Sequence, residues 1–185
     1  MRRIFLMQAA VLATGAALSL AGCGDSHPVP ASGSDQSAPA APAQAYAPSS
    51  GEFVPASADV FSKSAEPSGK CNLDAINGTA PGSKPLPHGQ RALFAGWAAS
   101  NDGKTVPQII AIVLRGTRDF EVQTPAGAAR PDVASANGEP GLANAGYAIR
   151  AGLSAVAPGN YTVELHYTAG GKAWRCESTH AVTVQ

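Results

Sequence analysis

Two alternating runs near the C-terminus constrain the fold of this chain more than any other feature. Tyr161, Val163, Leu165 and Tyr167 alternate with Thr162, Glu164, His166 and Thr168. Trp174, Cys176, His180, Val182 and Val184 share one parity of a second run. Period-two alternation sends successive side chains to opposite faces of a sheet. Gly170-Gly171, between the runs, reads as a two-residue hairpin loop. That loop sets Tyr167 against Trp174, Leu165 against Cys176, Val163 against Ser178 and Tyr161 against His180, with both apolar sets on one side. A slip of one residue would carry one apolar set to the other face. The chain is therefore expected to end in a half-buried antiparallel hairpin, with Cys176 directed at the core.

The preceding hundred or so residues carry short β-type runs separated by turn residues rather than long helical periodicity. Strands are expected at 71–77, 90–99, 108–115, 120–124 and 145–151, followed by the hairpin strands at 161–168 and 173–184. Ile109-Ile110-Ala111-Ile112-Val113-Leu114 is continuously apolar, as a central strand with little solvent contact would be. Seven short strands of this kind give an all-β chain, with a single antiparallel β-sandwich over 66–185.

Residues 23–65 differ in kind. They are rich in Ala, Pro, Ser and Gly, and such a composition buries too little apolar surface to offset the entropy of ordering. The segment reads as a disordered tether, about 35 Å end to end as flexible coil. Phe53, Val54, Val60 and Phe61 are its apolar exceptions and candidates for local docking. Residues 1–22 begin with Arg2-Arg3, continue through an apolar stretch from Ile4 to Leu20 and end in small residues, the pattern of a secretory signal peptide. The stretch is shorter than the ~20 apolar residues a spanning helix needs, and Gln8, Thr14 and Gly15 interrupt it. Export places Cys71 and Cys176 in an oxidising compartment, where an even pair reads as a disulfide. Two buried thiols and a metal pair are the rival readings.

The leader ends in Leu20-Ala21-Gly22-Cys23, which resembles the lipobox of bacterial lipoproteins. The resemblance implies that residues 1–22 are removed and that Cys23 carries the lipid, palmitate included, and holds the chain to a membrane. Gly24 rather than aspartate follows the cysteine, which in that family leans towards the outer membrane of a Gram-negative host. Pro158-Gly159-Asn160-Tyr161 resembles the start of a late strand in immunoglobulin-like and fibronectin-like sandwiches, and implies that Tyr161 forms a tyrosine corner. Gly96-Trp97-Ala98, Arg130-Pro131-Asp132-Val133-Ala134, Ala145-Gly146-Tyr147 and the Pro-Gly-x-Tyr run occur in that order. Together they resemble a family of small immunoglobulin-like modules of bacterial envelope and surface-glycan proteins. Such modules are mostly accessory parts, so the resemblance implies a fold more than an activity.

Signals for chemistry are sparse. Thirteen basic residues, two of them in the leader, face thirteen acidic ones, so no basic footprint for nucleic acid exists. Neither a G-x-S-x-G elbow nor a phosphate-binding G-x-x-x-x-G-K-[ST] loop occurs. His27, His88, His166 and His180 do not pair in a metal-ligand pattern, and no cofactor or metal is expected. His166 and His180 fall on opposite faces of the hairpin, with His180 inward. Glu164 and Glu177 fall opposite each other on the outer face and read as two solvated carboxylates, with Arg175 near His166. The loop over 127–141 is the leading binding candidate. Arg130 offers a bidentate donor and Asp132 an acceptor suited to sugar hydroxyls or a carboxylate. Their rival and favoured reading is a mutual pair that holds the loop's own turn. Trp97 is either a sugar-stacking platform or, favoured by its strand position, a core residue. A non-catalytic domain that binds an envelope protein or a glycan is the expectation.

Overall fold

The computed structural model describes residues 46–57, 66–67 and 69–185. In chain order the strands are β1 (Ser49–Glu52), β2 (Val54–Pro55), β3 (Glu66–Pro67), β4 (Lys70–Ile76), β5 (Arg91–Ala99), β6 (Ile109–Arg115) and β7 (Phe120–Pro125). After them come helix α1 (Pro131–Asn137), a 3-10 turn at Pro140–Asn144, and strands β8 (Gly146–Gly152), β9 (Gly159–Ala169) and β10 (Lys172–Val184). One sheet has the order β1-β8-β5-β4 and the other β2-β7-β6-β9-β10-β3. All seven expected strands are present, and they form an immunoglobulin-like sandwich. The long pairings are antiparallel, while the short strands β1 and β3 add parallel edges to β8 and β10.

Alternation explains the core. Phe94 and Ala98 of β5 and Tyr147, Ile149 and Ala151 of β8 face Ile110, Ile112 and Leu114 of β6 and Val163, Leu165 and Tyr167 of β9, all essentially without solvent contact. Close approach shapes the sequence at Gly96, where a Cβ would lie 2.1 Å from the Asn72 carbonyl and 2.7 Å from the Tyr147 hydroxyl. Cys71 on β4 and Cys176 on β10 form a disulfide that ties one sheet to the other across 105 residues of chain.

The final hairpin departs from its expected register in its outer half. Trp174 faces Tyr167 and Cys176 faces Leu165, but beyond Glu177 the partner of Tyr161 is Val182, not His180. Two extra residues in β10 around Ser178–His180 cause the shift. Because the insertion is even, Val182 and Val184 stay on the buried side. His180 sits in this bulge, partly buried, with its backbone N–H donated to the Ser178 hydroxyl.

The fold also starts earlier than a boundary at 66. The compact unit runs Ala43–Gln185, and β1 and β2 lie in it. The segment Ser49–Pro55 pairs first with β8 and then with β7, switching sheets at Phe53, which is 1% exposed. Burial of that ring against Phe94, with centroids 5.5 Å apart, is the physical reason a stretch poor in large apolar residues still joins the sandwich. Cys23, Val60, Phe61, the leader and most of the expected tether lie outside the described residues.

Candidate functional site

The segment expected as an open binding loop is largely helical. Pro131 stands in the first turn of α1 and Gly138 ends it in the left-handed conformation (φ 66°), the common Pro-first, Gly-last arrangement. Val133 and Leu142 are buried with Ala99 and Ala145 in a small second core on the outer face of the β5–β8 sheet. Trp97 packs against that cluster, partly buried, so its ring supports the helical segment instead of lying between the sheets.

Arg130 fixes the start of the segment. Its Nε and Nη2 donate to the two carboxylate oxygens of Asp132 at 2.9 and 2.8 Å, and Nη1 donates to Asp74 on β4 at 2.5 Å. Asp74 also accepts from the Asn72 amide. The Arg130 guanidinium holds the Asp132 carboxyl down at about 2. A ligand carboxylate would have to displace an internal partner to reach Arg130. The pair therefore acts first as the clasp between the helical segment and β4. Behind it the Tyr147 hydroxyl is fully buried and has no hydrogen-bond partner among the described residues, and burial pushes its pKa above the ordinary phenol value.

On the outer face of the other sheet, Glu164 and Glu177 are opposite each other in register, but they are not alike. Glu177 is exposed, 3.9 Å from Arg175. Glu164 is buried, accepting from Arg115 Nε at 2.9 Å and lying 2.7 Å from His166 Nε2, with Arg115 also paired to Asp119. The expectation of two solvated carboxylates thus fails for Glu164. The cause is the cation on the neighbouring strand β6, a contact that a two-strand register does not reveal. His166 followed by Arg115 draws the Glu164 carboxyl down to about 2. Among the described residues, no group of three His, Cys, Asp or Glu side chains is placed to hold a metal ion.

Tyr161 donates its hydroxyl to the Ala157 carbonyl at 2.6 Å, the bond of a tyrosine corner. Tyr167 donates to the carbonyls of Ala99 and Lys70, at 2.9 and 3.1 Å, and so ties β9 to the opposite sheet.

A cleft of about 440 Å³ opens at one end of the β6–β7–β9 face, between the β9–β10 hairpin tip and the segment leading into β6. Sequence reasoning missed it, because its walls come from three strands and two turns with no shared motif. Thr105, Gln108, Gln123 and Thr168 supply its polar atoms, and Ile109 and Val106 its apolar ones. Ile109, expected in a central strand with little solvent contact, is instead 53% exposed, because it stands at the end of β6 where the cleft opens. No protein-family model, curated protein or solved structure matches this chain.

Proposed function

We propose that this is a lipid-anchored cell-envelope protein whose immunoglobulin-like domain works by binding or assembly and carries no catalytic centre. The observation that carries the reading is the disulfide between Cys71 and Cys176, in a chain that opens with an export signal ending in Leu20-Ala21-Gly22-Cys23. A disulfide is stable on the exported side of a membrane, and the lipid on Cys23 would keep the domain there. Gly24 after the anchor favours the outer membrane in a Gram-negative host. The reading of a non-catalytic domain is supported by how the polar clusters are used. Arg130 clasps Asp132 and Asp74, and Arg115 clasps Glu164 and Asp119, so these charges join loops and strands to one another. Palmitate-analogue labelling of the full chain and of Cys23→Ala tests the anchor. Label and membrane association are expected in the first and lost in the second, and equal membrane association of both would overturn the proposal. The alternative partner class, a glycan of the envelope, is favoured by the composition of the cleft beside Ile109.

A further inference from the structure

We infer that the cleft between the β9–β10 hairpin and the segment before β6 is a binding site for an uncharged pyranose glycan. The inference rests on the binding reading above and places the site away from Arg130, Asp132 and Trp97. Four observations carry it.

The first is charge. Among the described residues, none that lines the cleft is ionisable: the polar walls are the amides of Gln108 and Gln123 and the hydroxyls of Thr105 and Thr168. A phosphate, carboxylate or ammonium ligand would find no counter-charge in the lining. A ligand of hydroxyls and amides would find both donors and acceptors, because a primary amide offers two N–H groups and a carbonyl and each hydroxyl offers one of each role.

The second is availability. The side-chain polar atoms of these four residues have no partner among the described residues, and all four side chains are exposed. They contrast with Arg130, Arg115 and Glu164, whose groups are already paired.

The third is the apolar surface. Ile109 is 53% exposed at the start of a strand that is otherwise buried, and lies beside Val106 in the cleft. A pyranose presents a face of C–H groups together with an equatorial rim of hydroxyls. That amphipathic shape matches an aliphatic patch ringed by amides and hydroxyls. The cleft volume of about 440 Å³ falls in the lower part of the range for small-ligand sites.

The fourth is rigidity. The Ser100 hydroxyl donates to Asp102 at 2.6 Å and accepts from the Thr105 N–H at 3.0 Å, Asp102 accepts from the Lys104 N–H at 3.1 Å, and the Ser100 N–H donates to the Thr105 carbonyl at 2.8 Å. On the other rim Gly170 and Gly171 both take positive φ, 61° and 74°, the conformation that a two-residue hairpin loop requires. A Cβ on Gly170 would come within 3.7 Å of the Thr105 hydroxyl, so the two rims adjoin. A pre-formed rim lowers the ordering cost of binding.

The test uses the oxidised full chain, labelled with nitrogen-15, in micelles of a detergent without a sugar headgroup. Cellobiose, maltose and di-N-acetylchitobiose are titrated separately to about 10 mM, an order of magnitude above a weak Kd of ~1 mM. The expected result is saturable shifts of the amides of residues 105, 106, 108, 109 and 168–171 with at least one sugar. Gln123→Ala, an exposed strand position, is expected to weaken that binding about fivefold, the loss of one hydrogen bond. Arg130→Ala is expected to leave it unchanged. Shifts confined to residues 128–134 would overturn the cleft while leaving a glycan-binding domain. Absence of shifts with all three sugars would overturn the inference. If crosslinking of the same chain in its envelope then captured a defined protein through this face, the broader binding reading would stand without it.

Discussion

Three buried tyrosines offer the same substitution in three different environments, and the structure assigns each a different outcome. Tyr→Phe removes one oxygen and leaves the ring. At position 161 it deletes the bond to the Ala157 carbonyl, which lies in an exposed turn where water can replace the donor. The loss should be about 1 kcal/mol, the net value of one ordinary hydrogen bond. At position 167 the deleted hydroxyl serves the carbonyls of Lys70 and Ala99, and Ala99 is fully buried. Water cannot replace that donor, so the loss should approach the penalty for a stranded polar group, about 1–3 kcal/mol. At position 147 the hydroxyl is itself the stranded group, 1% exposed and without a partner among the described residues. Tyr147→Phe should therefore be neutral or stabilising by up to about 1 kcal/mol. The assay is equilibrium urea unfolding of the oxidised chain followed by tryptophan fluorescence, with the slope m compared to exclude a changed unfolding reaction. In melting temperature 1 kcal/mol is worth about 4 °C for a domain of this size. A Tyr147→Phe variant less stable by 1 kcal/mol or more, at unchanged m, would refute the reasoning. It would mean that this hydroxyl is tied into the Arg130–Asp74 clasp.

Two further predictions concern charge and covalent closure. Stability should fall as pH drops from about 4.5 to about 2, because Glu164 has a folded-state pKa of about 2 against an ordinary 4.5 and binds a proton more readily when unfolded. Glu164→Gln should flatten the part of that decline due to this carboxyl, as read by urea midpoints across the range. Replacing Cys71 and Cys176 together with alanine should lower the urea midpoint by the equivalent of up to about 4.7 kcal/mol, the chain-entropy value for a loop near 100 residues. A loss under about 1 kcal/mol would show that the denatured chain is already compact between the two positions.

The sandwich was legible because its strands obey period-two alternation and its turns carry Gly, Pro and Asn. The last hairpin was correct from Tyr167 to Glu164 and wrong beyond. A bulge of two residues leaves the alternation intact and so leaves no trace in it. Phe53 announced that the segment before 66 had something to bury, but a four-residue and a two-residue strand are too short to be read from periodicity. Helix α1 was missed although its boundaries are written as Arg130-Pro131 and Asn137-Gly138. Only Val133 of its seven residues is buried, so it has almost no apolar stripe. The ionic clasps of Arg130 and Arg115 each involve a neighbouring strand. The cleft beside Ile109 draws on residues from positions 105 to 171, and no spacing rule joins them.

The disulfide has a mechanical consequence for a chain held at its N-terminal end. Load applied between such an anchor and the end of β10 enters through β1, which its parallel pairing with β8 holds in place. Once β1 and β2 detach, the segment from Ser49 to Lys70 can be drawn out to a total of roughly 75 Å at the extended-chain limit. There the extension stops. The 104 residues enclosed by Cys71 and Cys176, roughly 350 Å if drawn out, are locked behind a covalent bond. The N-terminal strands thus act as a yielding spring in series with a core that a load crossing the disulfide bypasses.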